Sequence, residues 1–320
     1  MNNFKKIGLT ALAASLVSVS ANAGSLTISG AASMNVGGYS GQEHDGGATF
    51  SMGNQVTMSG GGELDNGMTV SISYQLDSGV SGPFDDHSVT VSSDDMGSLT
   101  LYGHGGGSAT SAMDATAAGN VWDTFDGARG QVTAVGHTNS APGNNSLMYT
   151  MPTIMDGVAV KLSYEPQQSG NTIDSGMGYA VTYTGVEGLT LAYSESDEVG
   201  TTSDLSGDQT AWKVSYAYGP VTATMTQSEF DVVTTTSDQD VTSVAVSYTI
   251  SDEMSVTYGT ETIESTSSGD VDAEYTVLKG SYTSGGMTVS AQMKEAENVD
   301  HSTNANADFE YWGLGLAFAF

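Results

Sequence analysis

The sequence predicts an all-β fold, a 16-stranded antiparallel transmembrane β-barrel. Three observations carry this: period-two alternation along most of its length, connectors that alternate short and long, and a last strand of large apolar residues. From Met68 to Leu76 the chain reads M-T-V-S-I-S-Y-Q-L. Successive strand side chains point to opposite faces, so Met68, Val70, Ile72, Tyr74 and Leu76 make an oily face. Thr69, Ser71, Ser73 and Gln75 make a wet one. The pattern recurs at Val158–Tyr164, Trp212–Tyr218, Val244–Ile250 and Met287–Met293.

Taken in order, sixteen strands are expected at 25–38, 48–63, 67–77, 86–94, 97–104, 145–152, 157–166, 176–184, 188–196, 208–218, 220–230, 239–250, 253–263, 273–283, 286–296 and 307–320. A weaker strand-like stretch, Gln131–Gly136, would make seventeen. With both termini on the periplasmic side the number must be even, so that stretch is assigned to a long third loop, Gly105 to Asn144. The short connectors are turn-rich, as in Leu64-Asp65-Asn66-Gly67, Asp156-Gly157 and Ser284-Gly285-Gly286. The long ones, Ser194–Asp208 and Glu264–Asp272 among them, are polar and acidic. Short periplasmic turns with long extracellular loops describe an outer-membrane barrel.

A soluble β-sandwich also alternates, but its core faces should be bulkier and more varied than these. Tyrosines cluster near strand ends (Tyr74, Tyr164, Tyr183, Tyr193, Tyr216, Tyr218, Tyr248, Tyr282), where a barrel carries its headgroup-level girdles. In the final strand Trp312, Leu314, Leu316, Phe318 and Phe320 share one face. A soluble protein rarely ends in such an exposed apolar edge, which would template aggregation. In a barrel this strand closes against the first, Leu26–Val36.

The N-terminus reads as a secretory signal. Lys5 and Lys6 precede an apolar stretch, Ile7–Val19, and Ala21-Asn22-Ala23 forms an A-x-A cleavage site. Residues 1–23 are therefore expected to be removed, leaving a barrel domain of 24–320. That domain carries 37 acidic residues and only five basic ones, Arg129, Lys161, Lys213, Lys279 and Lys294, a formal charge of −32. Such a balance argues against nucleic-acid binding, which needs a basic patch. It suits either solubility in a salty medium or a cation-gathering vestibule. Cysteine is absent, which removes thiol chemistry and the usual structural zinc sites. His44, His87, His104, His137 and His301 are isolated in sequence and form no His-x-x-x-His pair.

Several short segments, in order and spacing, resemble the Gram-negative general diffusion porins, in particular their alphaproteobacterial, Rhodobacter-like branch. They are Ser25-Leu26-Thr27-Ile28-Ser29-Gly30, Glu63-Leu64-Asp65-Asn66-Gly67-Met68, Gly97-Ser98-Leu99-Thr100-Leu101, and Asn145–Pro152 with Asp156-Gly157. The resemblance spans essentially the whole chain after the signal. It implies a barrel of sixteen strands, usually a homotrimer, whose third loop folds into the pore as a constriction. It also implies that Trp312, Leu314, Leu316, Phe318 and the terminal Phe320 form the signal read by the barrel-assembly machinery, in contact with outer-membrane lipid and lipopolysaccharide.

On this reading the third loop supplies Asp114, Asp123, Asp126 and Arg129 to the constriction. Carboxylates in a narrow aqueous passage attract cations. Strand parity puts Lys161, Lys213, Lys279 and Lys294 on the polar lumen face, since a lipid-facing lysine would cost about 2–4 kcal/mol at mid-bilayer. Family members usually set several arginines across from the acidic loop, whereas this chain has one arginine, in the loop itself. The expectation is a cation-preferring channel for small hydrophilic solutes, without catalysis. Its alternatives are a non-porating surface barrel that meets a partner through acidic loops, and an outer-membrane hydrolase. No cofactor is required. The acidic runs Glu195-Ser196-Asp197-Glu198, Asp238-Gln239-Asp240 and Asp270-Val271-Asp272, read as outer loops, offer oxygens to weakly bound Ca²⁺ or simply carry solvated charge.

Overall fold

The computed structural model describes residues 26–40, 47–77, 85–106, 108–113, 115–125, 144–166, 175–198, 207–232, 238–265, 271–303 and 307–320. The expected signal segment 1–23, the stretch 131–136, and Asp114, Asp126, Arg129 and Asp270 lie outside them.

Sixteen strands form one sheet: β1 (Thr27–Ser40), β2 (Thr49–Glu63), β3 (Thr69–Asp77), β4 (His87–Ser93), β5 (Gly97–His104), β6 (Ser146–Thr150), β7 (Val158–Glu165) and β8 (Gly176–Tyr183). The second half comprises β9 (Leu189–Glu198), β10 (Gly207–Tyr218), β11 (Val221–Val232), β12 (Gln239–Ser251), β13 (Met254–Ser265), β14 (Ala273–Ser284), β15 (Met287–Glu297) and β16 (Phe309–Ala319). Each strand pairs antiparallel with its sequence neighbours, and β16 pairs with β1 to close the barrel. The closing register runs from Ala31 opposite Ala319 to Ser40 opposite Glu310. Gly30 and Phe320 exchange backbone hydrogen bonds of 2.7 and 3.0 Å at the short-turn end. No helix among the described residues is long and apolar enough to span a membrane.

The two faces follow parity. Outward positions carry exposed large apolar residues on strand after strand, among them Met34, Met52, Ile72, Leu99, Leu162, Leu191, Val246, Leu278 and Leu314. Such a band is stable only against hydrocarbon. Inward positions carry hydroxyls that satisfy each other across strands: Thr90 with Thr100 at 2.8 Å, Ser215 with Thr224 at 2.8 Å, Ser247 with Thr257 at 2.7 Å and Ser255 with Ser281 at 2.9 Å. Trp312, Leu314, Phe318 and Phe320 are exposed outward, while Leu316 is half-buried.

One expectation needs correction. Asp197 and Glu198, read as loop, extend β9 past its expected end at 196, while Glu195 and Asp240 lie within the strands expected at 188–196 and 239–250. The ladder continues past the apolar band, with Asp197 opposite Asp208 and Glu229 opposite Asp240. Above the hydrocarbon both faces meet water, so the oily–wet alternation fades while the backbone pairing goes on.

Val246→Arg, at mid-strand on the outward face, is expected to lower the free energy of unfolding from vesicles by about 2–4 kcal/mol. The same charge at Ser247, one residue on and inside, should cost less than about 1 kcal/mol. A urea titration of the refolded barrels followed by tryptophan emission compares the two.

Candidate pore constriction

The connector between β5 and β6 enters the barrel and is fastened along its inner wall. Its first described segment holds a 3-10 turn at Ala109–Met113. The Ala109 N–H donates to Ser163 Oγ on β7 at 2.8 Å, and Ala109 packs on Met148 and Ala180 beside Tyr102. The chain then makes a tight bend at Thr116–Asn120. The Thr116 hydroxyl accepts the Gly119 and Asn120 N–H groups at 3.1 and 2.8 Å, and Asn120 Oδ1 accepts the Thr116 N–H at 2.9 Å. Gly119 adopts φ +93°, a conformation glycine takes without strain.

From this bend the loop meets one strand after another. The Ala117 N–H donates to Thr226 Oγ1 on β11 at 2.9 Å, and the Ala118 N–H to Ser243 Oγ on β12 at 3.0 Å. Ser243 passes the interaction on to the Thr260 carbonyl at 2.9 Å. Glu261 on β13, only 1% exposed, is the centre of the attachment. Its Oε2 accepts the Thr116 hydroxyl at 2.6 Å and the Val121 N–H at 3.3 Å, and its Oε1 accepts the Trp122 N–H at 3.2 Å. A carboxylate taking three donors from one short segment fixes both the position and the orientation of that segment. Farther on, Lys279 Nζ donates to the Ala118 carbonyl at 3.5 Å, and Lys294 Nζ to Thr124 Oγ1. The Tyr39 hydroxyl of β1 donates to the Thr124 carbonyl at 2.5 Å.

Apolar packing reinforces the polar attachments. Val121 and Phe125 are buried on inward-facing Val241, Ile263, Tyr275, Val277, Ala296 and Phe309. The Phe125 ring lies 6.0 Å from Tyr275 and 6.3 Å from both Tyr39 and Phe309, centroid to centroid. Burial of such a side chain stabilises by about 1.5–3 kcal/mol. The inward face is therefore oily beneath the loop, against the simple rule of a polar interior. Gly259 permits the close approach: a Cβ there would lie 2.8 Å from Ala118 Cβ.

Of the residues singled out from sequence, Asp123 sits in a 3-10 turn at Trp122–Thr124 and is exposed, while its neighbours Val121 and Phe125 are buried against the wall. Lys213 stands opposite Thr226, whose hydroxyl bonds the loop, so both point inward. Lys161 stands opposite Ala180, which packs on Ala109, and is inward by the same reasoning. Lys279 and Lys294 are hydrogen-bonded to the loop, whereas no such bond joins Lys161 or Lys213 to it among the described residues. Sequence reasoning missed Glu261, Ser163, Thr226 and Ser243. Parity along Thr257, Gly259, Glu261 and Ile263 marks Glu261 as an inward acid, but nothing local says that a loop covers it. His104 is not isolated in space: its Nδ1 lies 3.4 Å from Asp86 and 3.9 Å from Asp85 at the long-loop end. These are the three residues that bring metal-type ligands together among those described, and all are partly exposed.

Glu261→Ala would leave three loop donors without an acceptor and should cost on the order of 3 kcal/mol or more. Limited proteolysis should then cut within 105–125, where the parent resists. Glu261→Gln keeps the shape and one acceptor, and should cost about half as much. Gly259→Leu should free the loop to proteolysis while leaving Glu261 in place.

Comparison with known proteins agrees with this architecture. The chain matches the family model of the Gram-negative porin over residues 8–301. The anion-selective porin from Comamonas acidovorans is similar in structure, at 15% identity and a TM-score of 0.66, covering 92% of this chain and 99% of that one. A mutant of Rh. blastica porin is similar at 16% identity and a TM-score of 0.64, covering 92% and 100%. At these identities the likeness speaks for the fold alone. No match was found among curated proteins. With a family match over most of its length and a closed barrel of sixteen strands, this chain belongs to the Gram-negative porins, the channel-forming barrels of the outer membrane.

Proposed function

We propose that this porin is a general diffusion channel through which small hydrophilic solutes and ions cross the outer membrane passively, with a preference for cations and without enzymatic turnover. One observation carries the reading. The described part of the third loop, up to Phe125, lies fastened along the wall from β7 round to β1, while inward-facing Asn35, Ser51, Gln55 and Ser71 on the other side are solvent-exposed. A loop held to one side narrows a lumen without filling it.

The cation preference rests on charge. Asp123 is exposed on the loop, and two of the four lysines are engaged in holding that loop. A low-dielectric wall focuses the remaining negative field on the passage. The Comamonas porin is described as anion-selective, so this fold serves either sign and the lining residues decide. Asp114, Asp126 and Arg129 belong to the same proposal by sequence position. The working unit on this reading is a homotrimer, exported through the 1–23 signal and inserted by the barrel-assembly machinery. Its terminal strand, ending at Phe320, presents apolar residues outward to that machinery and to lipid.

Refolded protein in a planar bilayer should conduct in steps grouped in threes, with a reversal potential toward potassium under a KCl gradient. Asp123→Asn should reduce that preference by about two-fold, and Asp123→Lys should bring it close to unity. A folded barrel that never conducts would overturn the channel reading.

A further inference from the structure

We infer that no lysine or arginine of the wall stands across the passage from the described part of the third loop, and that the channel therefore favours neutral polyhydroxylated solutes over dipolar solutes of equal size. The inference rests on the channel reading above and names the solute class it serves. After the signal segment the chain has five basic residues, and four are the lysines of β7, β10, β14 and β15. The fifth, Arg129, belongs to the β5–β6 connector. Strands β1 to β6 contain none. All wall cations thus stand on the half of the barrel that carries the loop, and Lys279 and Lys294 are bonded to it.

The opposite half is of another chemistry. Tyr39 reaches the loop from the inward face of β1, so Ser33 and Asn35 share that face. The registers carry the face onward: Asn35 stands opposite Ser51, Thr57 opposite Gln75, and Ser59 opposite Ser73. Its carboxylates on β1 to β3 are Glu63 and Asp77, both at strand ends. Between them lie hydroxyls and primary amides, and Asn35 and Gln55 are exposed.

Opposed rows of charge order water across a passage and turn a solute's dipole to match. A sugar then has to displace water held by ions, and receives weaker partners in return. Here the wall across from the loop segment that carries Asp123 offers groups that each donate and accept, as sugar hydroxyls do. A polyol sliding along Ser33, Asn35, Gln55 and Thr57 can exchange water hydrogen bonds for equivalent ones. A zwitterion gains nothing from alignment, because its carboxylate finds no cation on that wall. An anion meets acid on one side and no compensation on the other.

The test is swelling of liposomes containing the refolded protein in arabinose, glutamine or potassium arabonate, solutes of similar size. Arabinose should enter at least as fast as glutamine, and arabonate about ten-fold slower than either. Arabinose lagging glutamine by about ten-fold would overturn the inference, since that is the order a transverse field produces. Asn35→Arg with Gln55→Arg installs the missing cations, and should cut the arabinose-to-glutamine ratio by about five-fold while moving the reversal potential toward chloride. The ratio is insensitive to simple narrowing, which slows both solutes. Gln55→Glu, a change of charge at constant size, should strengthen potassium preference. An unchanged ratio in the arginine variant would mean that this wall does not line the path, and the inference would fall. Ion conductance with arabinose excluded defeats this inference alone, whereas a barrel that passes nothing defeats the channel reading beneath it.

Discussion

The pairing of β16 with β1 is the constraint on which everything else in the molecule depends. In hydrocarbon no water is available to an unpaired backbone N–H or C=O, so a sheet can cross only when it has no edge. Gly30 and Phe320 exchange the last pair of bonds in that ring, and the register from Ala31–Ala319 to Ser40–Glu310 sets how the two ends meet. Once the ring is closed, parity becomes geometry: one set of side chains must meet lipid and the other must meet the lumen. The long outward series of exposed Val, Leu, Met and Tyr and the inward series of paired hydroxyls are two consequences of one closure.

A closed ring of sixteen strands encloses more space than its own side chains fill. The β5–β6 connector occupies part of it, and its attachment is a second level of design on the first. Glu261 accepts three donors from Thr116, Val121 and Trp122, and the ring of Phe125 is set among Tyr39, Tyr275 and Phe309. These contacts draw on β1, β13, β14 and β16, which are distant in sequence from the loop and adjacent only because the barrel is closed. The lysines take part in the same attachment. Lys279 and Lys294 hold the loop from behind, so their charge is placed beside its acids rather than across the passage from them.

Legibility differed sharply between levels. Strand number, order and facing were readable because a bilayer enforces alternation: a segment such as Met68–Leu76 has no other way to satisfy both lipid and water. Strand ends were readable only where the oily face stopped. Asp197 and Glu198 read as loop residues because the signal is hydrophobic contrast, which vanishes above the bilayer, whereas the hydrogen-bonded ladder does not. The candidate constriction was half readable. Asp123 and the lysines stood out as charges, but Ser163, Thr226 and Ser243 are three hydroxyls among many, distinguished only by what covers them.

Sequence by itself determined the solvent on each side of the wall, and with it the barrel, since side-chain polarity at period two is a local property written residue by residue. It also determined that β1 to β6 could bring no lysine or arginine to the lumen, because none is encoded there. The tertiary structure alone decided where the described part of the third loop, up to Phe125, lies against the wall, and that Glu261 secures it. Those outcomes depend on contacts separated by 54 to 170 positions in the chain. No local pattern can express such a contact, because it exists only after the ring has closed.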